Sequence, residues 1–315
     1  MKRLRRTMLF VPGNNPGMIQ SASVLGADCV ILDLEDAVSL SEKDSARKLV
    51  TKALRNWSFK TTEVTVRINP ITTVYGPLDL EAMLEVQPDI LLIPKAEVAS
   101  IQEVESRISA FEAARGGEAV RTKLFALIES AAGVEYVHEI LESSPRLEGV
   151  LFGGEDYTSD MGVARTMGGM EIEYARNKVA VACKVHGVDA VDTPFTDVDN
   201  HEGLLADARK AKAMGFTGKA AINPRQVGII HKGFAPDPVE VRYALRVLEA
   251  MEEAEAEGKG VFSLDGKMVD APIIQRARQM VALAEKLGMI GVKQNVELGV
   301  RHPVPDDEAQ EGGLV

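Results

Sequence analysis

The chain has 315 residues, 45% of them hydrophobic, and its 36 Lys+Arg against 47 Asp+Glu leave a formal charge of −11. That apolar content suits a packed core and argues against disorder. The acidic balance excludes a nucleic-acid binder, whose phosphate contacts need clustered Lys and Arg, and no apolar stretch approaches the roughly 18 residues of a membrane span.

Eight short β-rich runs recur along the chain: Thr7–Gly13, Cys29–Asp36, Glu63–Asn69, Ile90–Ala96, Lys123–Ser130, Gly149–Tyr157, Ala190–Phe195 and Gly218–Asn223. Most are near-continuously apolar rather than alternating, as expected of strands covered on both faces. The intervening segments read as helices. Ile172, Ala175, Val179, Cys183 and His186 recur at spacings of three and four, and Gly187 follows as a C-cap.

Eight strand–helix repeats predict an α/β fold of the (β/α)8 TIM-barrel type. A doubly wound open sheet is disfavoured, because the first strand–helix turn has no GxGxxG and polar residues end nearly every strand. After Pro236 and Pro238 an acidic amphipathic helix is expected over 239–257. A turn-rich segment, Gly258–Pro272, then leads to a last helix closed near Gly288. The expected division is a barrel over 1–230, a helical lid or oligomerisation segment over 231–290, and a disordered tail over 291–315.

Cys29 and Cys183 have no CxxC spacing, and the five histidines have no HExxH, so disulfides and Cys/His metal sites are not indicated. His186 reads as a core histidine and His201 as a loop one. The basic cluster Lys2, Arg3, Arg5 and Arg6 lacks the apolar run of a signal peptide. A reducing, cytoplasmic setting is expected, and the chemistry falls to carboxylates, Arg and Lys.

Carboxylates gather at the strand ends: Asp33, Glu35 and Asp36 after the second, Glu129 after the fifth, Glu155 and Asp156 after the sixth. In a barrel these ends share one mouth, where like charges repel unless a cation sits among them. One or two carboxylates suit Mg²⁺, and Glu129 and Asp156 come from adjacent strands. The competing reading is that the acids cap helices or pair with Lys and Arg. Arg67 ends the third strand, either to grip a substrate carboxylate or to pair with Asp33 or Asp36. Lys95 is a candidate Schiff-base lysine or an electrostatic one. Lys219 is a weaker candidate for a phosphate contact.

LFVPGNNPGM, LDLEDAV, VRIN, IPKAE, LIES, GGEDY, INPRQ and SLDGKMVDAP occur in the order found in the citrate lyase β-subunit family, within the wider group of keto-acid aldolases and acyl-thioester lyases. Over residues 4–288 the chain resembles that family. The resemblance implies a barrel holding Mg²⁺, or Mn²⁺, on Glu129 and Asp156, and Arg67 binding the keto-acid carboxylate. It also implies that Asp270 acts from a neighbouring subunit's C-terminal segment, where local sequence alone reads an N-cap ahead of Pro272. A homo-oligomer follows, a cyclic trimer first, with an acyl-carrier protein and a transferase subunit as further partners.

The implied reaction is carbon–carbon cleavage of a citryl thioester to oxaloacetate and acetyl thioester. In it backbone amides near Gly153 and Gly154 would approach substrate without hindrance from a Cβ, while Asp33, Glu35, Asp36 and Lys95 support Arg67 and metal-bound water. Malyl-CoA or citramalyl-CoA lyase or thioesterase activity is the near alternative. A non-catalytic barrel subunit is the distant one.

Overall fold

A computed structural model describes residues 3–59, 62–256, 258 and 260–291. Eight parallel strands close into one barrel in chain order: β1 (Thr7–Pro12), β2 (Cys29–Asp33), β3 (Glu63–Arg67), β4 (Ile90–Ile93), β5 (Lys123–Ile128), β6 (Leu147–Phe152), β7 (Asp189–Asp192) and β8 (Gly218–Ala221). β8 pairs back onto β1 through Met8↔Ala220. Helices separate the strands, as a parallel connection requires.

The apolar runs conceal a strict parity. Met8, Ile31, Leu92, Phe125, Leu127 and Leu151 turn into the barrel, while Leu9, Leu32, Leu91, Ala126 and Val150 join the larger core toward the helices. Period two then fixes the strand ends: Asp33 follows Ile31, Arg67 follows Thr65 and Glu129 follows Leu127, all inward. At the other end Arg5 plugs the barrel over the Phe125 ring at 5.1 Å, bonding Glu63 twice (2.6 and 2.8 Å) and Asp189 at 2.7 Å. A cavity of about 640 Å³ opens there, but Arg3, Arg5 and Lys123 along it are already matched to Glu63, Asp89 and Glu148.

Helix ends follow local chemistry. The helix Glu173–His186 stops at Gly187, whose φ of +69° is left-handed and strained for any side chain. All eight strands end before the expected runs do, β6 by the widest margin. β6 stops at Phe152 and the GGEDY segment becomes the helix Gly154–Asp160, because acids in a first turn favour the helix dipole.

The chain divides into two units, 1–234 and 235–315. The boundary falls after the helix Arg225–Phe234 rather than within it, since that helix packs on Ala208 and its neighbours and buries Val227, Ile230 and Phe234. The second unit holds helices Pro238–Ala256 and Ala271–Lys286 around Ala244, Val247, Val269 and Ala277.

The segment Gly258–Pro272, expected as turns, contains an antiparallel hairpin of β9 (Phe262–Leu264) and β10 (Lys267–Val269). Asp265 and Gly266, at φ +52° and +73°, close it in the pattern of a two-residue Asp-Gly turn. The expected tail lies, from residue 292, outside the described residues.

Candidate active site

Asp33 and Arg67 are register partners on adjacent strands. Arg67 donates Nε to Asp33 Oδ1 at 2.7 Å and Nη2 to Oδ2 at 2.6 Å, while its Nη1 lies 3.0 Å from Glu35 and 3.4 Å from Asp36. Asp33 also accepts the amides of Glu35 and Ala37, which ties the strand end to the following loop. Phe10 lies beneath the guanidinium at 5.0 Å. Burial works against the Arg67 charge, but the Asp33 hydrogen bonds and the Asp33 and Glu35 charges outweigh it and raise its pKa. The ion-pair alternative for Arg67 is therefore present in the structure, with one Nη edge left toward the acids.

Two residues not singled out from sequence hold this loop. Lys43 donates to the carbonyls of Leu34 and Glu35 at 2.9 and 2.6 Å, and Asn69 donates to Leu34 O at 2.9 Å. Asn69 lies in VRIN and was legible as part of that motif; Lys43 carried no signal. They seat Glu35 in the interior. Its Oε2 is buried without a hydrogen-bond partner among the described residues, despite the ionic contact to Arg67. Burial pushes the Glu35 carboxyl up to about 7, opposed by Arg67 and reinforced by Asp36 and Asp33.

Glu129 follows β5 and is buried. Its Oε1 accepts the Lys95 backbone amide at 2.7 Å. Burial raises it to about 8, with the charges of Glu35 and Asp156 adding and the Lys95 hydrogen bond and Arg67 opposing. Asp156 is exposed in the first turn of the helix Gly154–Asp160, not at a strand end. Glu155 beside it lies 3.4 Å from Arg165.

Gly153, Gly154 and Lys219 each have internal partners. The amides of Gly153 and Gly154 themselves are engaged internally: the first bonds Ile128 O at 2.9 Å and the second Thr193 Oγ1 at 2.9 Å. Gly153 instead clears space, because a Cβ there would stand 2.7 Å from Glu129 Cβ. Lys219 is unavailable to a phosphate. It points away from the barrel axis and is fully buried against Asp192 and Asp207, with Arg176 on the same acids. Its neighbour Ala220 is the inward residue.

The remaining positions are quieter. Lys95 is exposed with a left-handed backbone at φ +47°. His201 opens a helix, and half-buried His186 faces His138 with ring nitrogens 3.3 Å apart. Asp270 caps the helix Ala271–Lys286, its carboxylate accepting the Ile273 amide at 3.3 Å.

The donor set at the mouth fits Mg²⁺. Among the described residues no group of three or more His, Cys, Asp or Glu forms a protein cage. Glu129 and Asp156 offer only carboxylate oxygens, the arrangement in which Mg²⁺ completes its shell with water and substrate. Asp33, Glu35, Asp36 and Glu129 around one guanidinium also leave a negative surplus, which adds to burial in raising the Glu35 and Glu129 carboxyls. A divalent cation would relieve it.

Residues 6–224 match the HpcH/HpaI aldolase/citrate lyase family. The citrate lyase subunit beta of Leuconostoc mesenteroides subsp. cremoris is 42% identical over 295 residues, covering 93% of this chain and 98% of that one. The mitochondrial citramalyl-CoA lyase of Rattus norvegicus is 35% identical over 294 residues, covering 90% and 87%. Among solved structures, CitE from Mycobacterium tuberculosis, in complex with magnesium, acetoacetate and coenzyme A, superposes with a TM-score of 0.75 at 28% identity, over 90% of this chain and 99% of that one.

Proposed function

This chain belongs to the HpcH/HpaI aldolase/citrate lyase family, and we propose that it is a Mg²⁺-dependent carbon–carbon lyase cleaving a citryl thioester to oxaloacetate and an acetyl thioester. The observation that carries this reading is the pairing, at one barrel end, of the buried carboxylate of Glu129 with an Arg67 fork fixed by Asp33. One supplies a hard-cation ligand and the other recognises a carboxylate.

Glu129 and Asp156 would hold the ion, which when bound supplies Lewis-acid polarisation of the carbinol and its geminal carboxylate. Arg67 orients the keto-acid half through the Nη edge left beside Glu35. Loss of the carbinol proton to water lets the O–H electrons form the carbonyl of oxaloacetate as the carbon–carbon bond breaks, and the electrons of that bond pass to the thioester enolate. Asp270, acting from a neighbouring copy, is the proposed proton donor to that carbon. The trimeric arrangement, acyl-carrier and transferase partners, and a cytoplasmic setting belong to the same reading. Among the described residues no helix is long and apolar enough to cross a membrane.

The similarity to citramalyl-CoA lyase favours a second reading, in which the carbinol carbon bears a methyl group instead of a carboxymethyl group. Turnover on citryl-, malyl- and citramalyl-CoA decides between them, with and without Mg²⁺. Full activity after exhaustive chelation would overturn the metal-dependent mechanism. Oxaloacetate formation from citryl-CoA as the fastest of the three supports the first reading, and a preference for citramalyl-CoA replaces it with the second.

A further inference from the structure

β4 and β5 pair in register from Ile90↔Lys123 to Ile93↔Ala126. One further step of a parallel ladder would carry the Lys95 N–H to the carbonyl of Leu127. That carbonyl instead accepts the amide of Ala96 at 3.1 Å. One residue is therefore inserted at the end of β4, a bulge of the kind that re-aims groups beside active sites. The inserted residue is Lys95, at φ +47°. Glycine adopts that region freely, whereas lysine enters it only under constraint from its surroundings.

The amide released from the ladder is the one that bonds Glu129 Oε1 at 2.7 Å. The other oxygen is placed by a second device. A Cβ on Gly153 would come within 3.0 Å of Oε2 and 2.7 Å of the Glu129 Cβ. Gly153 is also the N-cap residue of the helix whose first turn carries Asp156.

We propose that the peptide of Lys95, and not its ammonium group, is a positioning group for Glu129. The bulge engages one carboxylate oxygen, and the bare backbone of Gly153 leaves the other beside the turn bearing Asp156. The inference rests on the reading of Glu129 as a Mg²⁺ ligand. It gives the side chain's nitrogen no part in holding Glu129.

Mn²⁺ serves as the probe, with binding to the full chain measured by calorimetry and by electron paramagnetic resonance without substrate. Lys95→Gly and Lys95→Met keep the amide and should bind Mn²⁺ within about threefold of the parent. Gly153→Ala and Lys95→Pro disturb the mould and should bind at least about tenfold more weakly, the scale on which groups that orient a metal ligand act. If Lys95→Pro does not fold, Gly153→Ala carries the comparison. Loss of affinity in Lys95→Met as large as in Gly153→Ala would overturn the proposal in favour of the ammonium. Parent-like binding by Gly153→Ala would overturn it outright. Glu129→Gln tests the underlying reading separately: unchanged Mn²⁺ affinity there would remove Glu129 as a ligand, whatever the Lys95 variants do.

Discussion

Arg67 spends two of its three nitrogens on Asp33, at 2.6 and 2.7 Å, so that only Nη1 is turned toward Glu35 and Asp36. The pair lies across adjacent strands, with side chains 9% and 1% exposed. Its geometry is thus imposed by the barrel itself.

Asp33→Ala should lower stability by about 3–5 kcal/mol, because it leaves a buried guanidinium without its main partner. Asp33→Asn keeps the shape but not the charge-assisted fork, and kcat/KM should fall by about 10²-fold through misorientation of Arg67. Urea titration and steady-state kinetics check the two. Parent-like kinetics in Asp33→Asn would deny Asp33 any part in aiming Arg67.

The metal-free protein should become less stable as pH rises. Glu35 at about 7 and Glu129 at about 8 bind protons more tightly folded than in the unfolded chain, where 4.5 is the ordinary value. Their contribution is complete below about 4.5 and is lost as pH climbs through 7 and 8. Mg²⁺ replaces those protons, so the Mg²⁺-induced rise in Tm should be larger at pH 8.5 than at pH 6. Scanning calorimetry with and without Mg²⁺ measures this. A Mg²⁺ effect of equal size at both pH values, or the same pH slope in Glu129→Gln, would contradict it.

Lys219→Met should destabilise the protein by about 3–5 kcal/mol, since it removes one cation from a buried cluster with Arg176, Asp192 and Asp207. The cluster faces the helices, so kcat per folded molecule should stay near the parent value. A selective loss of turnover with unchanged Tm would place Lys219 in the chemistry after all.

Asp270 permits a separation of roles. Asn is as good an N-cap as Asp, so Asp270→Asn should leave stability nearly unchanged, while Asp270→Ala costs about 1 kcal/mol. Turnover should fall in both if the carboxyl delivers a proton. An Asp270→Asn variant of full activity would reduce the residue to a helix cap.

The strand and helix order, the closed barrel and the appended helices were legible in the sequence, because each rests on local pattern. Apolar runs bounded by polar ends, and Gly187 after a helical repeat, say where elements begin and stop. The Asp265–Gly266 hairpin was equally legible and lay within a segment read only as turns.

The identity of the mouth acids was also within reach of the sequence. Their inequality was not. A near-continuous apolar strand carries no alternation, so nothing local says that Arg67 faces the axis while Lys219 faces the helices. Nor does GGEDY announce that its acids begin a helix, with the Gly153 and Gly154 amides already engaged. The conversion of Lys95 from a side-chain candidate into an amide donor depends on one extra residue in a ladder with β5. The raised carboxyls of Glu35 and Glu129 depend on burial among residues brought together from five different strands and the loops after them. Chain order determined the scaffold, because hydrogen-bonding periodicity is local. Tertiary packing alone decided which charges lose water and which partners they meet there, because desolvation sums over groups distant in sequence.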